Sequence, residues 1–164
     1  MKRAKLDEID LKIVGFLQDD GRMTNVELAG RIGISAPPCL RRVRAIEQQG
    51  VIRGYHADVA PAALGYTSLA IVQVLLVNHA EGELRKFEEL VESWPEVREC
   101  YMVAGEVDYI LKIVAGNWDE YQRFLTSRLV SAPNIRHVRS AVCMRTAFVK
   151  VGVPVQPNET SRIS

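Results

Sequence analysis

The chain has no apolar run approaching the roughly 20 residues that a membrane span requires. Its basic start, Met1-Lys2-Arg3-Ala4-Lys5, runs into Asp7, Glu8 and Asp10 rather than into an apolar signal core. Neither a membrane anchor nor a secretory leader is expected, which points to the cytoplasm. Cysteine is scarce: Cys39, Cys100 and Cys143 form an odd, widely spaced set. Such a set suits free thiols in a reducing compartment better than a disulfide framework. His56, His79 and His137 are scattered, with no Cys, His or carboxylate partners at ligand spacing, so no metal site is expected. The phosphate-loop pattern G-x-x-x-x-G-K-[ST], the nucleophile elbow G-x-S-x-G and the dinucleotide pattern G-x-G-x-x-G are all missing. Nucleotide and hydrolase readings therefore lack support, no cofactor is expected, and an enzyme is disfavoured.

An excess of one charge is missing too, with 21 Lys+Arg against 20 Asp+Glu and a net charge of +1. Evenly spread, that balance would argue against a nucleic-acid partner. It is not evenly spread: residues 1–57 hold 10 Lys+Arg and 7 Asp+Glu, net +3, and residues 58–164 hold 11 and 13, net −2. What remains is an ordinary globular composition, 48% hydrophobic and 25% charged over 164 residues, enough for one domain or two small ones.

The first third reads as three short helices. Asp7 can cap the first, after which Leu6, Ile9, Ile13, Phe16 and Leu17 share a face and Asp19-Asp20-Gly21 ends it. Thr24-Asn25-Val26-Glu27 is a capping box opening a helix that turns Val26, Ala29 and Ile32 inward and stops at Gly33. Ser35 is a natural N-cap for the third helix. Pro37 and Pro38 are tolerated in its first turn, although Pro38 disfavours helical geometry at Pro37 and so allows a start one or two residues later. Leu40, Val43 and Ile46 form its inward stripe. Arg41, Ala45 and Gln48 point the opposite way, with Arg42 and Arg44 on the flanks. Residues 51–57 read as a short strand or wing.

Two helices joined by a tight glycine turn, the second bearing arginines, suit a helix-turn-helix. Small Ser35 and Ala36 with Pro38 permit close approach to a duplex, and Arg41, Arg42 and Arg44 can bind phosphates or the N7/O6 edge of guanine. The candidate DNA-facing set is Thr24, Asn25, Ser35, Ala36, Pro38, Arg41, Arg42, Arg44 and Gln48. On periodicity alone, a plain three-helix bundle with solvated arginines stays open. Cys39, near the inward stripe, suits a packed thiol better than a redox switch.

Residues 58–66 read as a linker. Beyond it come a strand over 67–77, an amphipathic helix over 82–94, strands over 97–103 and 109–114, a helix capped by Asp119, and a strand over 135–144. A further strand over 147–153 is possible, and the tail from Pro154 to residue 164 is expected to fray. The order βαββαβ is the ferredoxin-like arrangement, an antiparallel sheet with both helices on one face. Ser68, Ala70, Val72, Val74 and Leu76 alternate with Leu69, Ile71, Gln73, Leu75 and Val77, and both sets are largely apolar. A sheet with one wet face alternates apolar with polar. The open face is therefore expected to be covered by a second copy, making a homodimer, with the chain's own tail as the alternative cover. At the turn Ala104-Gly105-Glu106-Val107, Gly105 allows close backbone approach, Asp108 can pair with an ammonium group and Tyr109 can supply a wall. Those features suit a zwitterionic amino acid, and equally a simple hairpin.

Several stretches together carry a family resemblance. They are Leu6-Asp7-Glu8-Ile9-Asp10, Leu17-Gln18-Asp19-Asp20-Gly21-Arg22, Asn25-Val26-Glu27-Leu28-Ala29, Gly33-Ile34-Ser35, Cys39-Leu40-Arg41-Arg42-Val43 and Gly50-Val51-Ile52-Arg53-Gly54-Tyr55. With Gly105-Glu106-Val107-Asp108-Tyr109 in the second half, they resemble the Lrp/AsnC family of transcriptional regulators over roughly residues 6 to 150. The resemblance implies that amino acids or related small metabolites bind near the Gly105 turn, between dimers of a larger ring, with assembly to a tetramer or octamer. It places Gly105, Asp108 and Tyr109 at that site and carries over Arg139 and Ser140 from the strand opposite.

The expected protein is of the α+β class. A winged helix-turn-helix over 1–57 precedes a ferredoxin-like effector-binding and oligomerisation domain over 67–153. Its expected partners are a pseudo-palindromic double-stranded operator, itself, and an amino-acid-like effector. The alternatives are an architectural DNA-binding protein without a ligand, and a small-molecule-binding protein using the ferredoxin-like domain.

Overall fold

The computed structural model describes residues 4–155. The chain divides into two compact units: residues up to Asp58 together with the segment from Phe148, and residues Val59–Ala147. The tail expected at 154–164 lies outside the described residues from 156 onward; Val155 is described, and it packs against the core of the first unit.

Three helices build the first unit: α1 (Glu8–Asp19), α2 (Asn25–Ile32) and α3 (Ala36–Gln48). Asp7 caps α1 by accepting from the Asp10 amide at 2.8 Å, and the Asp10 carboxylate returns the bond to the Asp7 amide at 3.2 Å. Thr24 and Glu27 form the corresponding box on α2. Gly33, in the left-handed region at φ 85°, ends α2 and turns the chain directly into α3. The core gathers Ile13, Val14, Leu28, Ala29, Cys39 and Ile46.

Two side chains depart from the expected stripes. Val26 is 71% exposed, and Leu28 is buried instead. On α3 Cys39 is buried along with Ile46, which leaves Leu40 at the rim; burial pushes the Cys39 thiol up from its ordinary value. The stretch 51–57 forms no strand. Val51 and Ile52 pack onto the core, and Tyr55 donates to Glu47 at 2.9 Å, with its ring where a side chain on residue 21 would stand. Burial, and then the neighbouring Glu47 carboxylate, push the Tyr55 hydroxyl up to about 12.

The second unit opens with a 3-10 turn at Pro61–Leu64. It continues through β1 (Ser68–Leu76), α4 (Glu81–Glu92), β2 (Val97–Met102), β3 (Tyr109–Ala115), α5 (Trp118–Phe124) and β4 (Ile135–Val142). The strand order is β2-β3-β1-β4 and every pairing is antiparallel, which is the split βαβ plan. Asn117 caps α5, accepting from the Glu120 amide at 2.9 Å. Asp119, expected as the cap, lies inside the first turn, where its charge suits the helix dipole. A π-helical turn, Leu125–Leu129, extends α5 and buries Leu129.

One face of the sheet carries the core. Ala70, Val72, Val74 and Leu76 of β1 and Tyr109, Leu111, Ile113 and Ala115 of β3 are buried with Phe87, Val91, Tyr121 and Phe124. The opposite face is mixed. Leu69, Gln73 and Leu75 are half-buried and Ile71 is exposed, while Lys112 reaches Glu99 at 2.8 Å across the strands. The Lys112 ammonium holds the Glu99 carboxyl below its ordinary range. No strand forms over 147–153; from Phe148 that stretch belongs to the first unit.

Candidate nucleic-acid interface and effector turn

The face of α3 begins with a cap that cannot close. An N-cap side chain accepts from the amides of the second or third helical residue. Here those residues are Pro37 and Pro38, which have none. Ser35 occupies the N-cap position with extended geometry, yet its hydroxyl makes no cap bond. It stays available at the positive pole of the helix, beside small Ala36. Arg41, Arg44 and Gln48 are exposed, and among the described residues they meet no acidic side chain.

Other members of the expected DNA-facing set are engaged inside the unit. Arg42 donates to Asp7 and to Asp10, both at 2.7 Å, which fastens α3 to the capped end of α1. This corrects its placement as a flank free for phosphate. The two carboxylates hold the guanidinium above its ordinary value, and the Asp10 amide, then Arg42, hold Asp7 below its own. Asn25 gives its amide to the Ala36 carbonyl at 2.8 Å while its own carboxamide oxygen is buried without a partner, so it ties α2 to α3 rather than facing outward. Thr24 is exposed, but its hydroxyl is shared with the Glu27 amide and carboxylate.

The second candidate site centres on the turn between β2 and β3. Around Gly105 a side chain would meet nothing within 4 Å, so the backbone there lies open. Asp108 does not. Its carboxylate accepts from the Leu76 amide at 2.7 Å and faces the His79 ring at 2.9 Å, while its own amide donates to the Val74 carbonyl at 3.0 Å. The pairing with His79 is invisible in sequence, where the two stand 29 residues apart; it needs β1 and β3 in register, with Val74 opposite Tyr109. Tyr109 is fully buried on the helix side, its ring 4.8 Å from Phe87 and its hydroxyl donating to Glu88 at 2.8 Å. It is a core residue, which corrects its reading as the wall of an open site.

Arg139 and Ser140 are neighbours on β4 and therefore face opposite sides of the sheet. Arg139 stands opposite Gln73 on the open face. Ser140 stands opposite Val72 and accepts from the Tyr121 hydroxyl at 2.5 Å on the helix face. The two cannot meet one ligand from the same face of the sheet. No group of three or more metal-ligating side chains occurs among the described residues, nor does any helix there have the length and apolarity to cross a membrane.

The chain thus joins a three-helix head with an exposed cationic third helix to a split-βαβ unit with an open turn, the architecture of a two-domain helix-turn-helix protein. Similarity to known proteins gives it a family. A model described as the Lrp/AsnC ligand binding domain matches residues 69–152, and one described as winged helix-turn-helix DNA-binding matches residues 6–53. The leucine-responsive regulatory protein of Rhizobium meliloti is 50% identical over 143 residues, covering 87% of this chain and 92% of its own. The Bkd operon transcriptional regulator of Pseudomonas aeruginosa is 36% identical, covering 93% and 99%. Among solved structures, a Neisseria meningitidis transcriptional regulator in complex with L-Met superposes with a TM-score of 0.87 at 31% identity, covering 92% of this chain and 97% of that one. The chain belongs to the Lrp/AsnC family of DNA-binding transcriptional regulators, as its resemblance implied.

Proposed function

We propose that this regulator reads a pseudo-palindromic duplex operator with paired heads on a homodimer, and that an amino acid or related small metabolite shifts its assembly or its hold on DNA. The observation that carries the DNA-reading part is the free face of α3: Arg41, Arg44 and Gln48 lie exposed on the helix with Ser35 at its N-cap, and among the described residues the arginines have no acidic partner. A head of net charge +3 binds weakly alone, and two heads on one dimer raise effective concentration at the second half-site. Larger rings, tetramer or octamer, follow the family pattern. The effector part is supported by the matched ligand binding domain and by the L-Met bound to the Neisseria regulator.

The amides around open Gly105 are the best placed groups for an effector carboxylate, and Asp108, at 20% side-chain exposure, for its ammonium group. To bind there, the ammonium must take the place of the His79 ring. The test is thermal stability and DNA retention with a panel of amino acids. One of them should raise stability and change retention in the wild type, and Asp108→Ala should lose the response while keeping DNA affinity. DNA retention that ignores every amino acid would favour a ligand-free architectural role.

A further inference from the structure

The segment Phe148–Val155 forms no helix or strand and turns most of its apolar side chains outward; Phe148, Val149, Val151 and Val153 are each at least 70% exposed. What fixes it is its backbone. The Gln18 carboxamide donates to the Val153 carbonyl at 3.0 Å and accepts from the Val153 amide at 2.8 Å, so one side-chain amide replaces the peptide that a neighbouring strand would offer. Gly152 takes φ 71°, and a side chain there would run into that same carboxamide. Two residues beyond Val153, Val155 packs with the head's core and lines a groove of about 390 Å³ together with Leu11, Gly15 and Phe16 and the charged Glu8, Lys12 and Asp19 of α1.

We propose that this face of α1 is a docking surface whose occupant is the chain's own C-terminal segment, and that the seated segment ties the DNA-reading head to β4 through residues 143–147. The chain joins the head to the sensing unit at two places. The connection after Asp58, the linker, acts at all times; the second transmits a pull to α1 only while Gln18 keeps Val153. A change at β4 that pulls on the segment is thereby felt at α1, which gives the sensing unit a route to the head separate from the linker. The docking stands on these bonds and this packing alone, and its consequence for DNA rests on the reading of α3 given above.

Hydrogen exchange on the full-length protein tests the docking. In the wild type the Val153 amide is protected, and Gln18→Ala and Gly152→Val each speed its exchange at least tenfold, while Lys150→Ala and the amides of α2 keep wild-type rates. An unprotected Val153 amide in the wild type, or one that neither variant changes, overturns the proposal. Cysteines placed at positions 19 and 155, which line the same groove and leave Gln18 in place, with Cys100 and Cys143 replaced by serine, identify the occupant after treatment with a short bismaleimide. A cross-linked monomer on a denaturing gel supports it, and a cross-linked dimer assigns the groove to a second copy and overturns it. Random-sequence duplex DNA then reads the tie. Gln18→Ala, which leaves α3 untouched, should change affinity at least threefold, and unchanged affinity with lost protection overturns the tie. A wild type that binds no duplex at all defeats the DNA-reading function instead, and the Val153 readout is unaffected by that failure.

Discussion

The third helix of the head and the Gly105 turn of the sensing unit both carry charged side chains suited to a ligand, and they hold them differently. On α3, Arg41 and Arg44 are exposed with no carboxylate partner among the described residues, and the Ser35 hydroxyl makes no cap bond because two prolines have removed its partners. At the turn, the Asp108 carboxylate already holds a backbone amide and a histidine ring, and Tyr109 is sealed in the core. A polyanion needs standing positive charge and finds it preformed. A small zwitterion bound at the turn as proposed would have to displace an internal partner, which would couple its binding to a rearrangement. The contrast suits a constitutive DNA surface and a switchable sensor.

Tyr109 gives the strongest way to break this contrast. Truncation to Ala should destabilise the sensing unit by about 3–5 kcal/mol, as for a large aromatic removed from a packed core. Tyr109→Phe, losing only the bond to Glu88, should cost about 1 kcal/mol. Urea unfolding measures both, and a stable Tyr109→Ala protein with altered ligand response would return Tyr109 to the ligand site. On the head, Arg41→Ala with Arg44→Ala should weaken duplex binding more than tenfold. It should also flatten the slope of log K against log salt by about 1 for each phosphate no longer neutralised. A salt titration with unchanged slope would remove α3 from the interface.

Arg42→Ala should do the reverse. Its partners are Asp7 and Asp10, so it should cost about 1 kcal/mol or less of head stability, as expected for a partly exposed ion-pair network, and leave the salt slope alone. A flattened slope with unchanged stability would show that Arg42 leaves its carboxylates for phosphate. The smallest effect concerns pH. Asp7 titrates below its ordinary value of 3.8 in the folded head because the Asp10 amide and Arg42 favour its charged form. A depressed carboxylate stabilises fully above its unfolded value, and that stabilisation is lost as pH falls through the folded one. The head should therefore lose this contribution only below about pH 4. Asp7→Asn should flatten that part of the unfolding profile, and an unaltered profile would discount the cap.

Local chemistry made much of the head legible in the sequence. The cap at Asp7, the box at Thr24, the stop at Gly33 and the order of the five helices and four sheet strands are short-range facts of spacing, and the structure keeps them. The misplaced residues share a cause. Val26 against Leu28, and Arg42 against Arg41, differ only by which neighbouring helix stands alongside, and periodicity within one helix cannot register that. The side-chain interlock of Asn25 with Ala36 across the helix turn is hidden for the same reason.

What the sequence determined by itself is the five helices and four sheet strands, their order and the cationic character of α3, because caps, breakers and hydrophobic period act over about four residues. The tertiary structure alone decided which of the charged groups are free. Asp108 meets His79 through strand register, Arg42 meets two carboxylates of another helix, and Val153 meets Gln18 from 135 residues away. Each of these pairings joins groups that chain proximity does not bring together. They form only when packing of the core has already fixed the elements against one another, and the availability of a side chain for DNA or for an effector is settled at that stage.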